Sequence, residues 1–238
     1  MSLSVGEKRL LKDVININKN PLDNHGIYYI HDDTNIKRGY ALILGPSDTI
    51  YSHGIYFFNF YFPNDYPYSP PRVEYLTNGD NIRFNPNLYR NGKVCVSILN
   101  TWNGPQWSSC QTISSILLTI VTLFHNKPLL NEPGITENYT RFNIYNDIIK
   151  YASIKVALLD VLSGKICKTM YDKFKTIIDE YIVKNKTIIV QKINDIDNML
   201  NDENGPDKVL RINLYNIVVK CQPKGTLLNR FNNLKQLE

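Results

Sequence analysis

Cysteine is scarce in this chain: four in 238 residues, at positions 95, 110, 167 and 221, with no C-x-x-C pair among them. That number and scatter argue against a secreted disulfide scaffold, so a reducing setting, cytoplasmic or nuclear, is expected. Long apolar runs are lacking too. No stretch approaches the roughly 18 apolar residues that cross a bilayer, and the opening MSLSVGEKRLLKDV has no unbroken apolar core of the signal-peptide kind. The net charge of +5 is spread without a dense Lys/Arg block, which gives neither nucleic acid nor membrane much to bind. Histidine is limited to His25, His31, His53 and His125, none close in sequence to a cysteine. A Cys–His protease pair is therefore poorly supported.

What is present suits a folded protein. Hydrophobic residues make up 43% and charged residues 21% of the chain. That is enough for one domain of about 150 residues with substantial extra material, and it speaks against wholesale disorder. The expected partition is a core domain over residues 1–163 and a helical C-terminal extension over 164–238.

Residues 4–18 read as a helix, opened by the capping-box spacing of Ser4 and Glu7 and ended by Asn20-Pro21. Three Tyr-, Ile- and Phe-rich runs follow, Gly26–His31, Gly39–Leu44 and Gly54–Phe62, separated by turn residues. With Val73–Leu76 as a fourth strand, these make an antiparallel meander. Four prolines between Pro63 and Pro71 exclude both helix and central strand. From Asn78 to Pro105 there is little periodicity, and a long irregular segment inside a compact domain is usually functional. A buried helix is expected from about Thr112 to Phe124, with Ser108 and Gln111 as its capping box. Residues 141–162 predict a third helix, and residues 168–201 one long amphipathic helix, its stripe free to pack on its own domain, to pair with a second copy or to dock a partner. The tail reads as a strand over Leu210–Val219 and a short terminal helix. The fold class is α+β.

The chemistry is concentrated in RFNPNLYRNGKVCVSIL, where Cys95 follows the tight turn offered by Asn91-Gly92 and Asn87 stands eight residues upstream. A lone cysteine in apolar surroundings is ordinarily a buried small hydrophobe. A thiol and a carboxamide sharing one groove also suit acyl transfer: the thiolate carries an acyl group as a thioester, and the amide N–H donates to the oxyanion that forms when an amine attacks it. The expected geometry is a Cys95 sulfur open to solvent beside the Asn87 carboxamide.

Those residues are similar to a known pattern. FNFYFPNDYPYSPPRVEYLT resembles the strand and proline-rich turn of ubiquitin-conjugating enzymes, and RFNPNLYRNGKVCVSIL their active-site signature of an H-P-N tripeptide, an N-G turn and I/V-C-L-x-I-L. Trp107 with the following SSCQTISSILLTI resembles their W-S-P-A-x-T-I entry to the central helix, and Asn131–Gly134 (NEPG) falls where the family has an acidic residue and a proline. The likeness runs in order from residue 4 to about 162. Asn85 replaces the tripeptide's His, and Ser109 and Cys110 replace Pro-Ala in the loop that faces ligases. With the N-T-W-x-G insertion at Asn100–Gly104 and the long helical C-terminus, these features look like the large hybrid conjugating enzyme/ligases, including the giant BIR-repeat inhibitors of apoptosis.

The resemblance implies a thioester on Cys95, received from an activating enzyme in an ATP-dependent pathway and passed to substrate lysines, with no cofactor or metal. It gives Asn87 the role of oxyanion donor or loop organiser and Asn85 a structural one. Glu132 orients or desolvates the incoming lysine, unless it is only a solvated loop carboxylate. Tyr89 packs over the thioester or fills the loop, and Ser97 stands where some members carry Asp. Tyr68 and Trp107 match positions near the ligase-facing surface, although a tryptophan there is more often core. The implied partners are ubiquitin or another ubiquitin-like modifier, the activating enzyme, a ubiquitin ligase and protein substrates. Self-association through the C-terminal helix is a further expectation, and a non-catalytic ubiquitin-binding module is the alternative on the same fold.

Overall fold

The computed structural model describes residues 4–200 and 208–234. Helix α1 spans Val5–Lys19, and its capping box forms as the spacing predicts. The Ser4 N–H donates to Glu7 Oε2 at 2.8 Å and the Glu7 N–H to Ser4 Oγ at 3.2 Å. Strands β1 (Ile27–His31), β2 (Arg38–Leu44), β3 (Ile55–Tyr61) and β4 (Arg72–Tyr75) then pair in sequence order as one antiparallel meander.

The apolar runs of β2 and β3 do not alternate because both faces of the sheet are covered. Residues directly opposite in the register share a face, so Tyr28, Leu42 and Phe57 lie together on the outer one. The long helix α4 (Lys168–Leu200) lies against that face: the Phe57 and Phe174 rings stack at 6.0 Å, and Lys173 Nζ sits 4.2 Å from the Tyr40 ring centroid. Tyr181, about two turns further on, shares its hydroxyl with His53 Nδ1 at 2.8 Å. The inner face, with Tyr56, Phe58 and Phe60, meets the aromatic core around Phe124, Tyr66 and Tyr75. The α4 stripe is thus taken up by its own chain, the sheet at its start and neighbouring helices further along, and Val183 and Ile188 are its large apolar side chains left exposed.

Helix α2 (Ile113–Val121) is buried along Ile113, Ile116, Leu117 and Ile120. Its capping box is not Ser108/Gln111. Thr112 takes the cap, with the Ser115 N–H donating to Thr112 Oγ1 at 3.2 Å and the Thr112 N–H to Ser115 Oγ at 2.8 Å. The Ser108–Gln111 stretch instead closes a turn through its main chain, Gln111 N–H to Ser108 O at 3.0 Å. Helix α3 (Phe142–Ile154) runs into a buried π-helical stretch, Lys155–Asp160.

The tail corrects the expectation of one strand. Val209–Ile212 (β5) and Ile217–Lys220 (β6) pair as a hairpin around the 3-10 turn Asn213–Tyr215, and Asn216 takes the left-handed conformation (φ 51°) that reverses the chain. Helix α5 (Thr226–Asn232) follows and is pinned to the π-helical stretch by Arg230 and Asp160 at 2.7 Å.

Candidate active site

The segment from Arg83 to Leu99 crosses the molecule as irregular chain held by its own asparagines. Asn85 is fully buried. It donates to the Leu123 carbonyl at 2.8 Å and accepts the Asn87 N–H at 2.9 Å, so it ties the loop to the end of α2. Its expected structural role is thereby given physical content. The turn at Asn91-Gly92 closes with Gly92 at φ +87°, where a β-carbon would lie 2.8 Å from Glu74 Cγ, so glycine is required on both counts. That turn folds Val94 back beside Leu88 and sets Cys95 against Asn87.

The two residues are joined twice. The Cys95 N–H donates to the Asn87 carbonyl at 2.8 Å, and Asn87 Nδ2 donates to the Cys95 carbonyl at 2.6 Å. Asn87 is therefore a loop organiser in this structure. One of its two side-chain N–H donors is committed to Cys95 main chain, and its Oδ1 is buried without a partner.

The sulfur is not open to solvent as expected: Cys95 is 2% exposed. It nonetheless stands outside the contiguous apolar core that includes its neighbours Val94 and Val96. The insertion folds back on the chain carrying the cysteine. Thr101 Oγ1 donates to the Val94 carbonyl at 2.7 Å and accepts the Val96 N–H at 3.0 Å, bracketing Cys95 from behind. Gly104 closes over Ser97, where a β-carbon would come within 3.1 Å of the Ser97 Cβ. Thr101 carried no local sign of this role, because its partners become neighbours only once the insertion has folded back.

Glu132 and Tyr89 converge on a residue of the extension. The Tyr215 hydroxyl donates to Glu132 Oε2 at 2.5 Å, and the Tyr215 carbonyl accepts from Arg90 Nη2 at 2.6 Å. The Arg83 guanidinium lies between two rings, 3.7 Å from the Tyr89 centroid and 4.6 Å from that of Tyr215. Burial pushes the Tyr215 phenol well up, and the carboxylate it faces adds to the shift, so the hydroxyl stays protonated and donates. Beside Glu132, Asn131 Nδ2 reaches Asn85 Oδ1 at 3.5 Å, which connects this corner to the Cys95 loop. Nothing in the tail's local pattern pointed to Tyr215.

Of the aromatic pair near the proline-rich turn, Tyr68 is 77% exposed, whereas Trp107 is 9% exposed. The Trp107 indole donates to the Pro67 carbonyl at 2.7 Å and lies against Tyr66, so it supports that surface from below and cannot meet a partner itself. None of the hydrogen bonds made by His31, His53 or His125 goes to Cys95. Among the described residues no three His, Cys, Asp or Glu side chains are grouped to hold a metal, and no helix is long and apolar enough to cross a membrane.

A family model described as ubiquitin-conjugating enzyme matches residues 9–149, well over half of the chain and the whole of the asparagine-held loop. The chain belongs to the ubiquitin-conjugating enzyme family. Human Ubiquitin-conjugating enzyme E2 Z is 44% identical over 160 residues, covering 66% of this chain and 45% of that protein. The human Dual E2 ubiquitin-conjugating enzyme/E3 ubiquitin-protein ligase BIRC6 is 38% identical over 170 residues, 64% of this chain and 3% of that protein. The likeness to hybrid enzyme/ligases is therefore met, with a higher identity to E2 Z. Probable ubiquitin-conjugating enzyme protein 17 of Caenorhabditis elegans is 36% identical over 218 residues, 85% of this chain and 29% of that protein, a match that reaches into the C-terminal extension. The chain spans less than half the length of these relatives. The α+β architecture is that of the family, with the long helix added.

Proposed function

We propose that this ubiquitin-conjugating enzyme family member carries ubiquitin as a thioester on Cys95 and passes it to substrate lysines. The observation that carries the reading is the double tie between Asn87 and the Cys95 main chain, which sets the thiol-bearing residue against a carboxamide, and none of the hydrogen bonds of His31, His53 or His125 reaches that cysteine. In the charging step the Cys95 thiolate attacks the carbonyl of the ubiquitin C-terminus held on an activating enzyme. A new C–S bond forms, the old one breaks, and the activating enzyme's sulfur leaves as thiolate. In discharge, a neutral lysine amine adds to the same carbonyl, the oxyanion collapses, and the electron pair of the broken C–S bond returns to Cys95 Sγ. The surplus proton that remains on nitrogen after addition is released to water.

The roles follow from placement. The second N–H of the Asn87 amide, not the one bonded to Cys95 main chain, serves the oxyanion. Glu132 holds and deprotonates the lysine, which attacks only as the neutral amine. Tyr89, under Arg83, fixes the loop, Ser97 lines it, and Tyr68 is the exposed aromatic for a ligase. Because Cys95 is buried, charging requires its surroundings to open. The partners are an activating enzyme, ubiquitin, a ligase and protein substrates, in a reducing cytoplasmic or nuclear setting that keeps the thiol available. Self-association through α4 would have Val183 and Ile188 to use, and the rest of its stripe is already occupied.

Incubation with activating enzyme, ATP and ubiquitin tests this. A mass gain of one ubiquitin, lost on reduction, is expected, with Cys95→Ser giving a thiol-resistant oxyester or no product. No gain by the wild type refutes the reading for ubiquitin. Running the same reaction across ubiquitin-like modifiers identifies the cargo. Ubiquitin binding by Cys95→Ala, without charging of the wild type, would favour the non-catalytic module.

A further inference from the structure

We infer that the C-terminal hairpin completes the active site, with the Tyr215 hydroxyl acting as the positioning residue for the Glu132 carboxylate in lysine attack. The inference rests on the conjugating-enzyme reading and extends it to the part of the chain beyond the family model's match.

Tyr215 does two separable things. Its main chain and ring are structural. The carbonyl takes the Arg90 guanidinium, the ring stands against Arg83 and meets Tyr145 edge-on at 5.9 Å, and next door the Asn216 carbonyl accepts from Asn81 Nδ2 at 3.4 Å. These contacts clamp the 3-10 turn Asn213–Tyr215 onto the loop that leads to Asn87 and Cys95. The hydroxyl has a different partner. It reaches across 83 positions of sequence to Glu132 Oε2.

Glu132 needs such a partner. It sits half-buried just past the 3-10 turn Pro128–Asn131, and Pro133 and Gly134 after it are exposed, so its own segment offers little to hold the carboxylate. An ionised carboxylate is acceptor-only, so the phenol must donate. With Oε2 fixed by that bond, Oε1 is left for the lysine ammonium, whose proton it takes before the freed nitrogen pair adds to the thioester carbonyl. Orientation of this kind acts on the attacking amine and leaves the thiol's own charging untouched.

Tyr215→Phe removes the hydroxyl and keeps the ring, so it isolates the claim. Single-turnover discharge of the ubiquitin thioester should be measured with free lysine and with hydroxylamine, a nucleophile already neutral at pH 7 that has no ammonium to orient. The expected result is charging at the wild-type rate, hydroxylamine discharge unchanged, and lysine discharge slowed about tenfold. Glu132→Gln should show the same lysine-specific loss, and the double variant should be no slower than Glu132→Gln alone, because both remove one device. The inference is overturned by lysine discharge at the wild-type rate in Tyr215→Phe, by equal slowing with both nucleophiles, or by additive losses in the double variant. A wild type that charges and discharges normally beside such results leaves the conjugating-enzyme reading standing, whereas a wild type that never charges takes down that reading and this inference with it.

Discussion

Asn87 and Cys95 each hold the other's main chain: the cysteine N–H on the asparagine carbonyl at 2.8 Å, the asparagine amide on the cysteine carbonyl at 2.6 Å. The residue assigned to the oxyanion is therefore also the residue that fixes where the thiol stands, and its substitution should act twice.

Asn87→Ala should lower stability by about 1–3 kcal/mol, the cost of leaving a buried carbonyl unpaired. It should slow lysine discharge on the order of 100-fold if the second N–H serves the oxyanion. Urea denaturation gives the first effect and single-turnover discharge the second. A loss of stability with discharge unaltered would make Asn87 a loop organiser alone.

The cover over Cys95 predicts an order of thiol reactivity. Cys110 is exposed and should react first with iodoacetamide, well ahead of Cys95. Burial pushes the Cys167 thiol up to about 11, which leaves it little thiolate at neutral pH and should make it slow as well. Peptide mapping after timed alkylation reads the order. Thr101→Val, which loses the bond to the Val96 N–H, should speed alkylation at Cys95 without changing Cys110.

His53 predicts a stability that falls in mild acid. Burial, with Lys192 adding to it, lowers its imidazole from 6.5 to about 4. Between those values the unfolded chain binds the proton and the folded one does not, so the contribution is complete above pH 6.5 and is lost as the pH drops toward 4. The urea midpoint should decline across that window. His53→Asn, which tolerates the left-handed backbone there (φ 66°), should flatten the decline, with a remainder from His31, itself lowered by burial.

Asp160 is buried among Lys155, Lys165 and Arg230, and the last of these anchors α5. Asp160→Ala leaves cations without their counter-charge and should cost about 3 kcal/mol. Hydrogen exchange should show the loss first in α5, since Lys155 retains Asp80 while Arg230 loses its carboxylate.

The sequence by itself determined what short-range physics controls. Ser4 and Glu7 lie within one helical turn, Asn91-Gly92 makes its own bend, and three Tyr/Phe/Ile-rich runs and Val73–Leu76, set apart by turn residues, favour pairing in order; the α+β plan and the asparagine–cysteine loop follow from these. Tertiary structure decided everything set by which surfaces meet. The helix cap moved from Ser108 to Thr112 because both are capping residues and only the packing of α2 chooses between them. The start of the α4 stripe found the sheet's outer face, Trp107 turned inward to the Pro67 carbonyl, and the insertion folded back onto the main chain either side of Cys95. Tyr215 reached Glu132 only because a strand-like tail became a hairpin with a left-handed turn. A local pattern records the preferences of neighbouring residues. Contacts between residues far apart along the chain exist only after the apolar faces between them have been buried against each other.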